Sequence, residues 1–342
     1  MRSDPPPTGV DVVVVGGGPA GLSAALVLGR SRRSVLVVDD GRPRNAVAHH
    51  VSGFLTRDGT PPDELLRIAA EEVERYGVEL RRARAEALVP RPDVTPAAAG
   101  VDVELDDGTR VRARRVVLAT GLRDELPEVP GIADRWGRDV LHCPYCDGWE
   151  TRDRRVGVLA GRADEVGKAL SMTRWTSDVV LLLHGMERDE IHPTDRARLD
   201  ALGVRVVDGP VVGVEVVDDA LAAVRTAEQR VELEALLVQP RLVASDALVT
   251  AVGARVEVGP FGHVLVTDPE GRTSVPHVWA AGNVSDPMSQ VVMAAAAGYR
   301  TALAVDHDLI EEDVDDAVAR RAGSPGRDDA PDDPLGSGPP GA

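Results

Sequence analysis

Aromatic residues fill only 3% of the 342 positions, so any core must be built from Val, Leu and Ala. Cysteine is scarcer still: Cys143 and Cys146, in "LHCPYCDGWE", are the only two. Thiols that close together cannot form the spaced framework of a secreted disulfide scaffold, and they read instead as one redox-active pair. Long hydrophobic runs are missing as well. "VDVVVVGGG" and "VVMAAAAGY" fall short of the roughly 20 residues of a membrane-spanning helix. The start, "MRSDPPPTGV", has no apolar stretch of the kind an export signal needs. Nor is there a surplus of positive charge. The formal net charge is −17, which argues against nucleic acid and against anionic membranes as partners. These absences predict a cytoplasmic chain with no membrane and no nucleic-acid partner.

A hydrophobic content of 43% is ordinary for a globular protein, and the length predicts two domains. Residues 1–9 form a Pro-rich lead expected to be disordered. The acidic, Pro- and Gly-rich stretch 313–342 is expected to be a disordered tail. Between them, "VDVVVVG" (10–16) reads as a buried parallel strand, "PAGLSAALVLGRS" as a helix and "SVLVVDDG" (34–41) as a second strand. "PPDELLRIAAEEVERYG" (61–77) reads as a helix with prolines at its start, acids in its first turn and Gly77 at its end. Residues 78–118 are strand-rich, with Asp107-Gly108 as a hairpin signal. A second strand–turn–helix–strand begins at "RRVGVLAG" (154–161). Strands return across 235–283, and "SQVVMAAAAGYRTALAVDHDLIEED" reads as a long helix. The fold class predicted is α/β, with two Rossmann-like three-layer dinucleotide-binding domains.

Gly16, Gly18 and Gly21 spell G-x-G-x-x-G directly between a strand and a helix. In that setting the first Gly makes the tight turn and the second lets the backbone approach a pyrophosphate at the helix N-terminus. The third permits close packing of helix on strand. Asp39 ends the second strand, where an acid would hydrogen-bond a ribose hydroxyl. An acid there favours an unphosphorylated ribose, as in FAD or NAD. "VVLATG" (116–121) and "VWAAGNVSD" (278–286) supply two further strand ends with small-residue turns.

The dithiol admits three readings. A zinc site wants about four ligands, and the chain has no second cysteine pair. A structural bridge closing so short a loop would remove little unfolded-state entropy. A redox role fits best, because one sulfur can be attacked while the other resolves the mixed disulfide. A glutaredoxin-like module is disfavoured, since the flanking segments belong to dinucleotide domains.

The segments "VVVVGGGPAGLSAA", "LATG", "CPYCDGWE" and "AAGNVSDPMSQVVMAAAAG", in that order, resemble the thioredoxin reductase family of FAD-dependent pyridine nucleotide-disulfide oxidoreductases. The similarity runs over roughly residues 10–310. "DDGRPRNAVAHHVSGFLTRDG" (39–59) resembles the branch that closes disulfides in dithiol natural products such as gliotoxin and holomycin. The resemblance implies a discontinuous FAD domain, 10–122 and 246–312. A nucleotide-binding-like domain, 123–245, is inserted in it and carries the dithiol. It implies that Gly16, Gly18, Pro19, Ala20, Gly21, Asp39, Asp40 and Asn45 hold the ADP half of FAD. Ala119, Thr120 and Gly121 would lie along the flavin side. Gly282 and Asn283 would meet the ribityl or pyrophosphate, and Gln290 and Val291 the pyrimidine edge. Asn283 stands where the family usually has Asp. By the same resemblance electrons pass between FAD, the Cys143/Cys146 pair and an external thiol or disulfide. Cys146 would face the flavin and Cys143 the substrate. Asp147 would manage the thiol proton, or serve as a helix-start residue for backbone N–H groups. His50 would be a base for an external dithiol, or a surface histidine beside His49. His142 is a rim residue or inert. No metal is expected, and the family commonly dimerises.

The second glycine loop departs from the pattern. In "VLAGRADEV", Ala160, Arg162 and Glu165 stand where Gly16, Gly18 and Gly21 stand in the first loop. The following "LLLHGMERDEIH" offers only Arg188 and His184 for a 2′-phosphate. NAD(P)H use is therefore expected to be weak or altered, with Arg162 binding a phosphate through its side chain, or replaced by another electron partner, oxygen as acceptor or ferredoxin as donor. The partner is expected to be a thioredoxin-like protein or a small-molecule dithiol. A flavin-bearing redox sensor without turnover is the rival from another class.

Overall fold

The computed structural model of the protein describes residues 9–91, 100–244, 247–259 and 262–323. Strand β1 (Gly9–Val15) lies between parallel neighbours, with Val12 to Val15 fully buried. Its unbroken run of valines is what a strand covered on both faces requires. Gly16 turns the chain into α1 (Pro19–Arg30), which returns it to β2 (Val35–Asp39). Helix α2 (Pro62–Glu74) starts on proline with Asp63 and Glu64 in its first turn, where acids complement the helix dipole. β3 (Glu79–Arg82) follows. Then come β4 (Ala85–Arg91), β5 (Gly100–Leu105) and β6 (Arg110–Leu118), antiparallel to one another. Asp107-Gly108 makes the expected β5–β6 turn, with Gly108 at φ 80°.

After β7 (Leu122–Glu125) the chain builds a second sheet. Short α3 (Ile132–Arg135) leads to β8 (Val140–Leu141), α4 (Pro144–Asp147) and β9 (Val156–Ala160). Then come α5 (Val166–Met172), β10 (Val179–Leu183), α6 (Pro193–Ala201) and β11 (Arg205–Val207). An antiparallel meander of β12 (Val211–Val217), β13 (Ala220–Thr226) and β14 (Arg230–Glu232) precedes β15 (Ala235–Leu237). β16 (Arg241–Ala244) pairs antiparallel with β7, so the outgoing and returning crossings run side by side. The chain closes with α7 (Ala247–Ala251), the hairpin β17 (Val256–Gly259) and β18 (Gly262–Leu265), β19 (Val278–Ala280) and α8 (Val291–Gly323).

The first sheet runs β3-β2-β1-β6-β5-β4, and β19 pairs with the second half of β6. The second sheet, β11-β10-β9-β15-β8, is parallel throughout and is made entirely between β6 and β19. Both are two-sided α/β sheets with Val, Leu and Ala cores. Trp279 is the one aromatic among the largest fully buried side chains. Among the described residues, no helix is long and apolar enough to cross a membrane.

Three expectations need correction. Gly9 is no part of a disordered lead: it pairs with Arg112 and opens β1. Residues 1–8 lie outside the described residues. The segment 247–251, expected among the returning strands, is helical. The acidic stretch expected to be disordered from 313 continues α8 to Gly323. Asp313 and, in the two turns before it, Asp306, Asp308 and Glu312 are ion-paired to the first sheet and the α1–β2 turn. Arg33 binds Asp306 and Asp313, Arg114 binds Glu312 and Asp313, and buried Arg115 binds Asp308 and Glu312. Residues 324–342 lie outside the described residues.

Candidate active site

A single cavity of about 1390 Å³ runs from the first glycine loop to the dithiol and on to the second loop. That exceeds the roughly 300–1,000 Å³ of a drug-sized pocket and suits a dinucleotide. The first loop has three distinct jobs. Gly16 sits at φ 108°, and a Cβ there would lie 2.3 Å from the Ala119 carbonyl oxygen. Gly18 faces open space, with nothing within 4 Å of a Cβ. Gly21 lies behind the cavity, where a Cβ would meet Gly16 O at 1.9 Å, so it serves packing. Pro19 and Ala20 open α1 on the cavity wall. The Asp39 carboxylate accepts from the N–H groups of Gly17 (2.8 Å) and Gly41 (2.9 Å), which holds the loop and leaves lone pairs facing the cavity. Asp40 and Asn45 also line it.

Ala119, Thr120 and Gly121 form the next stretch of wall. Buried Thr120 Oγ1 has no hydrogen-bond partner among the described residues. Gly282 is not on the wall; it allows close approach to Ala20, 2.8 Å from where a Cβ would stand. Asn283 lines the cavity but is internally engaged. Its Nδ2 donates to the carbonyls of Asp286 and Ser289, and its Oδ1 accepts from Arg44 at 3.3 Å. Arg44 also grips Asp124 with two nitrogens, an anchor the sequence reading missed. Gln290 and Val291 stand at the start of α8, and Gln290 Nε2 lies 3.6 Å from Cys143 Sγ.

Cys143 is the N-cap of α4, and its carbonyl accepts from the Cys146 and Asp147 N–H groups at 3.1 Å. Pro144 fits the first helical position, where no N–H is needed. Both thiols are free and half-buried. The Cys146 thiol donates to Cys143, which holds Cys143 well below an ordinary thiol; N–H groups of the turn and the charge of Lys168 act the same way against burial. Cys146 is pushed up by the same hydrogen bond and by burial. Asp147 is pushed up to about 7 by burial, then by the charges of Cys143 and Glu150. His50 Nε2 lies 3.3 Å from Glu150 Oε1, and Ser52 Oγ donates to the Cys146 carbonyl at 2.6 Å. Cys143, Cys146, Asp147 and His50 all line the cavity.

The second loop is closed on itself. Glu165 Oε2 accepts from the Gly161 N–H at 2.8 Å, and the Arg162 guanidinium is held by Asp164. Two cavity residues behind the loop escaped the sequence reading. Lys168 Nζ donates to Val238 O and Gln239 Oε1, both at 3.0 Å, and Gln239 Oε1 is 3.2 Å from His142 Nε2. A signal was there to find: Lys168 is the only lysine among 39 basic residues. His142 lines the cavity and is hydrogen-bonded to Gln239.

Comparison with known proteins fixes the class. Residues 10–298 match the pyridine nucleotide-disulphide oxidoreductase family, and the chain belongs to it. The crystal structure of HlmI is 46% identical, covers 92% of this chain and 96% of its own, and superposes with a TM-score of 0.85. The thioredoxin reductase tcpT of Claviceps purpurea is 31% identical, over 85% of this chain and 91% of its own. A probable thioredoxin reductase of Arthroderma benhamiae is 33% identical over 52% of this chain, a match spanning 44% of that relative. The chain is a thioredoxin reductase-like oxidoreductase of disulfides, in a family that binds FAD. Its residues fit that cofactor. Gly18 leaves open space at a helix N-terminus, Asp39 lines the cavity at the end of β2 where an acid could accept from a ribose hydroxyl, and Thr120 carries an unpartnered hydroxyl.

Proposed function

We propose that this protein is a flavin-dependent dithiol oxidase. Cys143 and Cys146 close a disulfide in a small-molecule dithiol in a reducing cytoplasm, and oxygen is the terminal acceptor. The observation that carries this reading is the Glu165 carboxylate on the Gly161 N–H. A nucleotide pyrophosphate would need that amide, and would meet the charge of Glu165 as well.

The chain's own groups account for the exchange. A substrate thiolate attacks Sγ of Cys143 in the oxidised pair; the Cys143–Cys146 bond breaks and Cys146 leaves as thiolate, then takes a proton. The second substrate thiol gives its proton to Asp147, whose raised pKa of about 7 suits a base near neutrality. That sulfur attacks the substrate sulfur of the mixed disulfide, and Cys143 leaves as thiolate. Two substrate thiols have become one disulfide, and the enzyme pair holds the two electrons. FAD bound in the cavity supplies the two-electron acceptor that restores the enzyme disulfide.

A thioredoxin-like partner is the second reading, supported by exposed Tyr145 and Trp149 beside the pair. Two measurements separate them. Dithiothreitol in air should release one peroxide per dithiol oxidised, at half the rate of thiol loss. Anaerobic mixing with NADPH should leave the flavin oxidised for minutes. Flavin bleaching at hundreds per second on micromolar NADPH would overturn the oxidase reading.

A further inference from the structure

Lysine is nearly excluded from this chain, and the one exception stands beside the dithiol. Lys168 lies on α5, half-buried, in the wall of the cavity that also exposes Cys143. Helix α5 packs on α4, the helix that Cys143 caps. An ammonium carries three N–H donors. Two are used, on Val238 O and Gln239 Oε1, and the third has no partner among the described residues. The same network orients the residue before Cys143. An ammonium can only donate, so the Gln239 oxygen faces Lys168 while Gln239 Nε2 donates to Pro240 O at 3.2 Å. His142 meets that oxygen through Nε2, so Nε2 carries the proton and donates. Burial, with the charge of Lys168, keeps His142 neutral, down to about 4. Lys168 is therefore the cation on this side of the pair, since the imidazole carries no charge.

We propose that Lys168 is a positioning residue that keeps Cys143 in its thiolate form and stabilises its sulfur as it leaves the mixed disulfide. This rests on the dithiol exchange described above. The charge on Sγ appears when the substrate–Cys143 bond breaks, and an ammonium facing the same space stabilises it without giving up a proton. Arginine, used everywhere else, would bring a wider and permanently charged group. Burial lowers Lys168 to about 8, while the charges of Glu165 and Cys143 work to keep it protonated. The other charged or titratable groups around Cys143 are Cys146 and Asp147 on α4, Glu150 and His50 next to Asp147, and Arg44 and Asp124, which act on His142. All of these are unchanged in a Lys168 variant.

The test is the pH dependence of Cys143 alkylation by iodoacetamide in the reduced, FAD-loaded protein, read by peptide mass spectrometry. Lys168→Met should raise the apparent pKa of Cys143 by about one unit, cutting its alkylation rate near pH 5 about tenfold, with rates converging at high pH. Lys168→Arg should restore the profile. A Lys168→Met profile that superposes on the wild type overturns the proposal, and so does a Lys168→Arg profile that matches Lys168→Met. If Lys168→Met fails to fold, acetylation of the wild type supplies the same comparison, because Lys168 is the only lysine to modify; reductive methylation, which keeps the charge, is its control. Alkylation needs no turnover. A protein that oxidises no dithiol in air but shows the shift would sink the oxidase reading and leave this one standing.

Discussion

Asp147 shows how one residue takes its chemistry from its surroundings. Its position after the second cysteine suggested either a proton carrier or a helix-start residue, and its burial beside Cys143 and Glu150 favours the first. With a pKa raised to about 7, it is half ionised near neutrality. As the base of the exchange it must be ionised, so turnover should rise with pH through about 7. Asp147→Asn should lower turnover about 100-fold and erase that limb, measured against the same dithiol. An intact limb in Asp147→Asn would assign it to another group. Asn283 teaches the opposite lesson. The amide that replaces the family's usual acid spends its donors on its own loop and its oxygen on Arg44. Its first task is to shape the wall.

At the scale of an element, α8 is the most consequential. Its start places Gln290 and Val291 on the cavity wall, and its middle, from Asp306 to Asp313, is clamped onto β6 and the α1–β2 turn by arginines. Arg115 is 4% exposed and bridges Asp308 and Glu312. Removing it takes one of two guanidinium partners from each carboxylate, leaving Asp308 with Arg272 and Glu312 with Arg114, so Arg115→Met should cost about 2 kcal/mol in denaturant unfolding. Asp308 shows the sign of the pH effect. Burial opposes its ionisation, but Arg115 and Arg272 hold its pKa below the ordinary value. A carboxylate depressed in the fold stabilises it above its unfolded pKa and loses that effect as pH falls through its folded one. The clamp should therefore be at full strength at neutral pH and weaken below about pH 4, with the wild type approaching the Arg115→Met curve.

For the whole molecule, the outer face of α8 raises the question of a partner. Val292, Tyr299, Leu303, Ile310 and Val314 are exposed and fall on one side of the helix by its 3.6-residue period. We propose that a second copy of the chain covers this stripe. Sedimentation equilibrium should give twice the mass of one chain, and Leu303→Glu with Ile310→Glu should halve it while leaving the flavin spectrum unchanged. A monomeric wild type would discard the dimer. The cavity itself is a property of the whole: its walls come from both sheets, so neither sheet alone makes the site.

What the amino-acid order determined was local in origin. A valine strand, three glycines at fixed spacing, a helix and an acid specify the first loop, because each acts on neighbours within a few tens of residues. The dithiol was legible for the same reason, since both sulfurs sit on one turn. The damage to the second loop was visible as Ala160, Arg162 and Glu165. That Glu165 caps Gly161 was not, since side-chain direction depends on the packed helix behind it. Lys168 beside Cys143, Gln239 tying it to His142, and the acidic end of α8 on Arg33, Arg114 and Arg115 were decided by tertiary structure alone. In each case the partners are far apart in the chain and meet only through the packing of separate elements. Composition read the chain from 313 as a disordered tail; ion pairs of Asp306, Asp308, Glu312 and Asp313 with Arg33, Arg114 and Arg115 hold the helix that runs on through it.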